Sequence, residues 1–366
     1  MSSQVSPNAL LEFPKIFPGS ADPARGLKVV CFGGGTGLSN LLRGLKLYTK
    51  APDRSIPSPI EQLTAVVAVT DDGGSSGRIR NDFNILPPGD IRNCLVALAE
   101  DEHLLSRMFQ YRFAAGAGLE GHSFGNLFIT VLAQMTSDFV EAVRLSSTVL
   151  GVRGRILPAS SVVAQLGAEM RDGSSVIGEC AITNSRAGIR RVQLMPADAP
   201  AVPETLAAIA EADLITLGPG SLYTSLVPNL LVPGITQAIA ASSAAKAFIC
   251  NLMSQPNETI GMTATDHLIA LHEHAGMPLF DTLLVNRAPV SHQTLENYAA
   301  ASTAPVPYDA AGLAALGVRV IEGNYLAEHC VARHDAAAVA RDLIALAQAQ
   351  RPAIAAAAAA DVTLAA

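Results

Sequence analysis

The chain predicts an α/β fold: a Rossmann-like, doubly wound, mostly parallel sheet with a small antiparallel β insertion. Three observations predict it. Short apolar runs recur along the chain, amphipathic helical stretches lie between them, and the runs end in small, polar, glycine-rich residues. Strand–helix alternation builds a parallel sheet, and the ligands of such a sheet collect at the carboxyl ends of its strands.

The runs are LKVVCF (27–32), LTAVVAVT (63–70), ADLITL (212–217), KAFICNL (246–252), DTLLVN (281–286) and GVRVIE (317–322). They are continuous rather than alternating, as strands buried on both faces are. After the first run, Leu38, Leu41, Leu42 and Leu45 fall at i, i+3, i+4 and i+7, one face of a helix. Ile91, Cys94, Leu95 and Leu98 repeat that spacing, and residues 126–150 form a third, longer helical region. One segment breaks the rhythm. Residues 161–182 read as two strands around the turn pair Asp172-Gly173, followed by RRVQLMP, which places an antiparallel insertion near 152–200. The main domain is expected over 27–350. It is preceded by a loose, proline-containing arm (1–26) and followed by an alanine-rich tail (351–366) that reads as a frayed helix or a disordered end.

With 366 residues, 49% hydrophobic and 16% charged, the chain can bury a large core. Its mean hydropathy of +0.32 owes much to alanine. No apolar run of about 18 residues lacks a charge or a glycine, so no spanning helix is expected. No basic start precedes a long apolar stretch, so no signal peptide is read. Five cysteines stand far apart without a Cys-x-x-Cys pair. That spacing argues against a zinc ribbon or disulfide framework and for the reducing cytoplasm. Cys31 and Cys250 lie in strand-like runs, as small hydrophobes do. A net charge of −7, 5% aromatics and no tryptophan disfavour nucleic acid as a partner.

The stretch VVCFGGGTGLSN (29–40) leaves Gly33, Gly34 and Gly35 between a strand ending at Phe32 and a helix beginning near Thr36, with Gly37 in its first turn. Glycine lets backbone N–H groups approach a ligand, and a helix N-terminus adds free donors and partial positive charge, so a phosphate fits. The G-x-G-x-x-G spacing is not met, because Leu38 stands where the last glycine belongs. After the second run, TDDGGSSGRIR (70–80) presents Asp71 and Asp72. Two carboxylates repel a phosphate; they suit sugar hydroxyls, a base edge or a metal. Gly73, Ser75 and Ser76 add donors there, and Arg78 adds charge. Asp90 in LPPGDIRNCL is placed to cap a helix, which leaves Arg92 and Asn93 unexplained in its first turn. GHSFGNL (121–127) sets His122, structural or general acid–base, and Asn126 at another helix start. GPGSLYTS (218–225) offers Gly218, Gly220, Ser221, Thr224 and Ser225. Asn251 and Asn286 follow strands, where an amide reads a base edge or a carbonyl, and Arg333 is a surface residue or a ligand's cation. Several charge-assisted N–H bonds, each contributing roughly 1.5–3 kcal/mol, would hold a diphosphate without a lysine-rich pocket. The expected ligand-binding residues are therefore Gly33 to Gly37, Asp71, Asp72, Gly73, Ser75, Ser76, Arg78, Asp90, Asn93, Asn126, Gly218, Gly220, Ser221, Thr224, Asn251 and Arg333.

Together, GGGTGLSNLLRGLK, TDDGGSSGRIR, PPGDIRNCLVALA, GHSFGNL, LGPGSLYTS and CNLMSQPNET closely resemble the gluconeogenesis factor family of bacterial cytoplasmic proteins, within the 2-phospho-L-lactate transferase-like superfamily. The likeness runs from about Leu27 to the Arg-His-Asp near 335. It implies a Rossmann-like core, usually dimeric, and a site for uridine-diphosphate sugars such as UDP-N-acetylglucosamine, with no required cofactor. It also implies a role in cell shape and carbon-source adaptation, which makes cell-wall synthesis proteins candidate partners. The transferase relatives bind a guanosine diphosphate moiety in the matching cleft and move phospholactate onto a deazaflavin with magnesium. Carried over, the Gly33–Gly37 loop and the GPGS turn would surround the diphosphate, and Asp71, Asp72 and Asp90 would hold Mg2+ if the protein is transferase-like. GGSSGR and GDIRN are the binding family's wording. The expectation is a cytoplasmic UDP-sugar-binding regulatory homodimer without turnover, the alternative a magnesium-dependent transferase.

Overall fold

The computed structural model describes residues 25–49, 58–100, 104–328 and 331–364. The expected N-terminal arm lies outside the described residues except for Arg25 and Gly26, as does Cys330.

Seven strands form the central sheet: β1 (Leu27–Gly33), β2 (Ile60–Val67), β3 (Arg155–Pro158), β7 (Leu214–Leu217), β8 (Ala245–Ile249), β9 (Thr282–Asn286) and β10 (Arg319–Gly323). Their order is β10-β9-β8-β7-β1-β2-β3 and every pairing is parallel. Between β3 and β7 a second sheet is inserted from β4 (Gln165–Met170), β5 (Ser175–Ile177) and β6 (Ile189–Met195), antiparallel in the order β5-β4-β6. A last hairpin pairs β11 (Leu326–Glu328) with β12 (Ala332–His334). The α/β class, the parallel sheet and the hairpin around Asp172-Gly173 match the sequence reading. The insertion is shorter than expected, because 155–158 leaves it to pair with β2 at the sheet edge.

The continuous apolar runs are explained by two cores. Along β1, Val30 and Phe32 face one and Val29 and Cys31 the other. Both faces are covered by helices, as parallel sheets require. The helices that shape the site are α1 (Gly35–Lys46), α2 (Gly74–Phe83), α3 (Gly89–Leu98), α4 (Phe124–Thr136), α5 (Phe139–Val149) and, inside the insertion, α6 (Glu179–Asn184). The long helical region of the sequence is thus two helices, broken where Ser137 turns left-handed at φ 54° and Asp138 caps α5. The alanine-rich tail continues the final helix, Ala336–Leu364. No helix among the described residues is long and apolar enough to cross a membrane. Cys31 and Cys250 are buried, and burial pushes each thiol up to about 12.

Helix α1 is the pivot of the packing. Leu38, Leu41, Leu42 and Leu45 enter the second core, while Gly37 and Gly44 bring backbone against backbone. A methyl at Gly37 would overlap the Pro219 carbonyl, and one at Gly44 would overlap the Ala336 carbonyl of the final helix. Neither obstacle is a flexible side chain, so α1 would have to move off the turn after β7 or off the final helix. Gly37→Ala and Gly44→Ala are each expected to lower stability by about 1–3 kcal/mol. Urea unfolding checks this, and unchanged midpoints would show that the backbones do not approach that closely.

Candidate functional site

The sheet order reverses between β1 and β7, so the loops leaving their carboxyl ends diverge to opposite faces and open a crevice. A cleft of about 600 Å³ lies there. Its walls are Gly34 to Gly37 and Asn40 of α1, Asp71 after β2, Asp90 of α3, Pro219 to Ser221 and Ser225 after β7, Asn251 to Pro256 after β8, Glu179 of α6, Tyr298, and Val331 to His334 of the last hairpin.

The glycine turn meets its acceptor inside the protein. Gly34 is extended, Gly35 turns left-handed at φ +60°, and the Gly35 N–H donates to Asp90 Oδ2 at 2.6 Å. Asp90 therefore does not cap its own helix as expected: α3 begins at Gly89, after Pro88, with no side-chain cap. In the first turn of α3 its carboxylate instead reaches across to the open end of α1. Burial, then the neighbouring Asp71, push the Asp90 carboxyl up to about 6, against the Gly35 N–H and Arg92, which favour the anion.

The two aspartates after β2 part company. Asp71 lines the cleft and accepts the Gly73 N–H at 2.9 Å, whereas Asp72 Oδ1 accepts the Cys180 N–H of α6 at 2.9 Å and so ties the insertion to the core. Among the described residues no three His, Cys, Asp or Glu are grouped to hold a metal ion. Asp71 and Asp90 offer the hard oxygens magnesium takes. Asp72, however, is engaged elsewhere, so the three aspartates do not fit a magnesium site as a set. Glu179 joins Asp71 and Asp90 at the cleft. Burial, reinforced by Asp71, Asp90, Asp72 and Glu258, pushes its carboxyl up to about 9. Arg80 is buried close enough to Asp72, Asp71 and Glu179 for their charges to support its own.

Half of the expected residues stand behind the walls. TDDGGSSGRIR is largely helix α2, and its Ser75 and Ser76 lie on the buried face of that helix. Ser75 Oγ pairs with His122 Nδ1 at 3.0 Å and accepts from Asn126 Nδ2 at 3.1 Å, a buried triad that braces α2 on α4. Arg78 donates to the Glu120 carbonyl at 2.7 Å, and Asn93 accepts from Arg92 at 2.8 Å. Arg92 in turn reaches Ser123 Oγ at 2.5 Å, which explains a cation in the first turn of α3. Thr224 donates to Glu258, and Gly33, Gly73 and Gly218 shape the turns without lining the cleft.

On the far wall, side-chain amides brace the backbone. Asn251 Oδ1 accepts the Gly220 N–H at 3.2 Å and its Nδ2 donates to the Gly220 carbonyl at 2.8 Å. Gln255 Nε2 donates to Ser221 Oγ at 2.6 Å. Asn286 likewise serves Ala288 and the Tyr325 N–H, away from this cleft. Arg333 is exposed and makes no ion pair among the described residues. His334 Nε2 meets the Cys250 carbonyl at 3.1 Å, and burial pushes its imidazole down to about 4, so it is neutral. Asn40, Glu179, Ser254, Gln255, Tyr298 and His334 are among the polar wall residues outside the expected set. Asn40 within GGGTGLSNLLRGLK, Ser254 and Gln255 within CNLMSQPNET, and His334 in the Arg-His-Asp near 335 lie inside stretches already singled out, whereas Glu179 and Tyr298 carried no functional signal.

A carboxyl raised on folding holds its proton in the native state while the unfolded chain has lost it. Stability therefore falls as pH rises from the ordinary carboxylate range through the folded value. For Glu179 that window runs from 4.5 to about 9. Glu179→Gln removes the titration and is expected to reduce the loss of stability across it by about 1 kcal/mol or more. Denaturant unfolding of both proteins across that window checks this.

Residues 29–326 match the family 2-phospho-L-lactate transferase CofD. The gluconeogenesis factor of Bacillus subtilis is 47% identical over 320 residues, 87% of this chain and 98% of that protein. A relative from Nostoc sp. is 50% identical over 305 residues, which are 83% of this chain but 64% of the relative's length. A crystal structure of a Bacillus halodurans protein superposes with a TM-score of 0.83 at 47% identity, covering 87% of this chain and 100% of that one. The chain belongs to the 2-phospho-L-lactate transferase CofD family, among its gluconeogenesis factors.

Proposed function

We propose that the protein is a regulatory gluconeogenesis factor that binds a uridine-diphosphate sugar, UDP-N-acetylglucosamine or a close analogue, in the switch-point cleft without turning it over. The observation that carries this reading is the cleft itself. Its volume lies within the range of about 300–1,000 Å³ usual for small-molecule sites. Its walls are glycine backbone, hydroxyls, amides, the carboxyls of Asp71, Asp90 and Glu179, and one exposed arginine, a set rich in hydrogen-bonding groups for a polar ligand. The same reading has the protein act in the cytoplasm as a homodimer, on cell-wall synthesis partners that govern cell shape during gluconeogenic growth.

A second reading has one observation in its favour. Asp71 and Asp90 stand together in the cleft of a chain whose family is named for a transferase. In that reading they would draw Mg2+ to a nucleoside-diphosphate-linked substrate. Magnesium would then tighten binding and product would accumulate. An Asp71→Asn variant that binds as wild type does, with no product formed by either protein, would rule it out.

Isothermal titration with UDP-N-acetylglucosamine is expected to show saturable binding to wild type. Gly35→Asp sets a side chain at φ +60° and adds a fourth acid beside Asp71, Asp90 and Glu179, so it should weaken binding about tenfold or more. Failure of every UDP-sugar to bind at millimolar concentration would refute the reading.

A further inference from the structure

The cleft is polarised. Asp71, Asp90 and Glu179 stand on one wall, and Arg333 supplies the cation on another. The Asp90 carboxylate already takes the Gly35 N–H, so an oxygen of the protein fills the first acceptor position at the start of α1. Gly34 abuts the same carboxylate, since a Cβ built on it would come within 2.9 Å of Asp90 Oδ2. Whatever ligand group reaches this wall must bring hydrogen-bond donors to two aspartates. A sugar hydroxyl donates; an ionised phosphate oxygen only accepts.

We infer that Asp90, supported by Asp71, is the specificity-determining residue for the group beyond the diphosphate: it admits a neutral polyol and rejects a third phosphate. The inference rests on the proposed nucleotide-sugar site and says which end of the ligand lies where. The diphosphate lies between the free amides of the α1 start and Arg333, and the sugar hydroxyls lie against the acids. In a nucleoside triphosphate the terminal phosphate takes the place of that sugar, so it meets like charge where the sugar finds acceptors. Asp90→Asn keeps a carbonyl oxygen for the Gly35 N–H, removes the charge and turns the second acceptor oxygen into an N–H donor, which favours a phosphate on both counts.

The test is titration of wild type and Asp90→Asn with UDP-N-acetylglucosamine and with UTP, near neutral pH and with a chelator present. Wild type is expected to bind the sugar nucleotide about tenfold or more tighter than UTP, a difference of about 1.4 kcal/mol. Asp90→Asn should shrink that ratio about threefold or more, mainly by tightening UTP. If wild type binds both equally, or if a folded Asp90→Asn leaves the ratio unchanged, the inference is overturned while the nucleotide-sugar reading stands. If neither nucleotide binds, the reading beneath it falls as well. Where Asp90→Asn does not fold, Asp71→Asn is titrated in its place, and an unchanged ratio in that folded variant overturns the inference.

Discussion

The bond from the Gly35 N–H to Asp90 Oδ2 sets the register of the candidate site. A helix start leaves its first N–H groups without intrahelical partners. Here one of them is met by a residue of another helix, 55 positions away in sequence. Because α1 also rests its Gly37 on Pro219, the turns after β1 and β7 and the start of α3 are held as one unit. That is why the crevice at the switch point is a shaped cleft rather than three loops free to move apart. The conformation this requires is narrow. Gly35 is left-handed and Gly34 lies against the carboxylate, so side chains at these positions would disturb either the backbone or the acid.

The same arrangement gathers carboxyl groups where burial opposes their ionisation. Asp90, Glu179 and the neighbouring Glu258 are all pushed above the ordinary carboxylate range, each chiefly by burial. At about 4 Å and an effective dielectric constant near 20, two unit charges repel by about 4 kcal/mol. A cluster of this kind opposes folding unless protons, donors or a ligand relieve it. Relief is partial within the chain: Arg80 lies among the acids, and backbone N–H groups serve Asp71, Asp72 and Asp90. At the opposite end of the sheet the electrostatics are conventional. Asp213 takes a bidentate pair from Arg25 and the Lys28 N–H, and Arg351 of the final helix donates to Gly26. Paired charges hold one end of the strands while crowded acids stand at the other, the contrast expected of a functional edge.

How much of this was legible depended on whether the cause was local. The strands could be read because residues buried on both faces must be apolar without a break. Their ends were overshot for the same reason: Ala68, Val69 and Thr70 are buried beyond the end of β2. β3 was missed because its four residues, RILP, carry too little pattern to separate them from the insertion that follows. The glycine turns could be read because close backbone approach admits few other residues. Partnerships across the chain could not. Capping is the nearest role for an aspartate before a helix, and nothing adjacent to Asp90 reveals that α1 needs its oxygen more. Asp71 and Asp72 look alike in sequence, yet successive side chains leave an extended segment on opposite sides, one into the cleft and one toward Cys180.

The remaining wall residues come from elements outside the parallel sheet, and this bears on how the cleft works. Glu179 belongs to the antiparallel insertion, held to the core through Asp72, and Arg333 belongs to the β11–β12 hairpin. The hairpin is anchored by Asn40 Nδ2 to the His334 carbonyl at 2.6 Å and by His334 to the Cys250 carbonyl. Both anchors fix its backbone and leave the Arg333 guanidinium uncommitted. The sheet supplies fixed, neutral donors, while the two appended elements bring an acid and a base to the rim. Amide side chains such as Asn251 and Gln255 are consumed in holding the turn after β7 rigid. The cleft thus carries preformed backbone groups along the sheet edge and one exposed guanidinium, Arg333, on the appended hairpin.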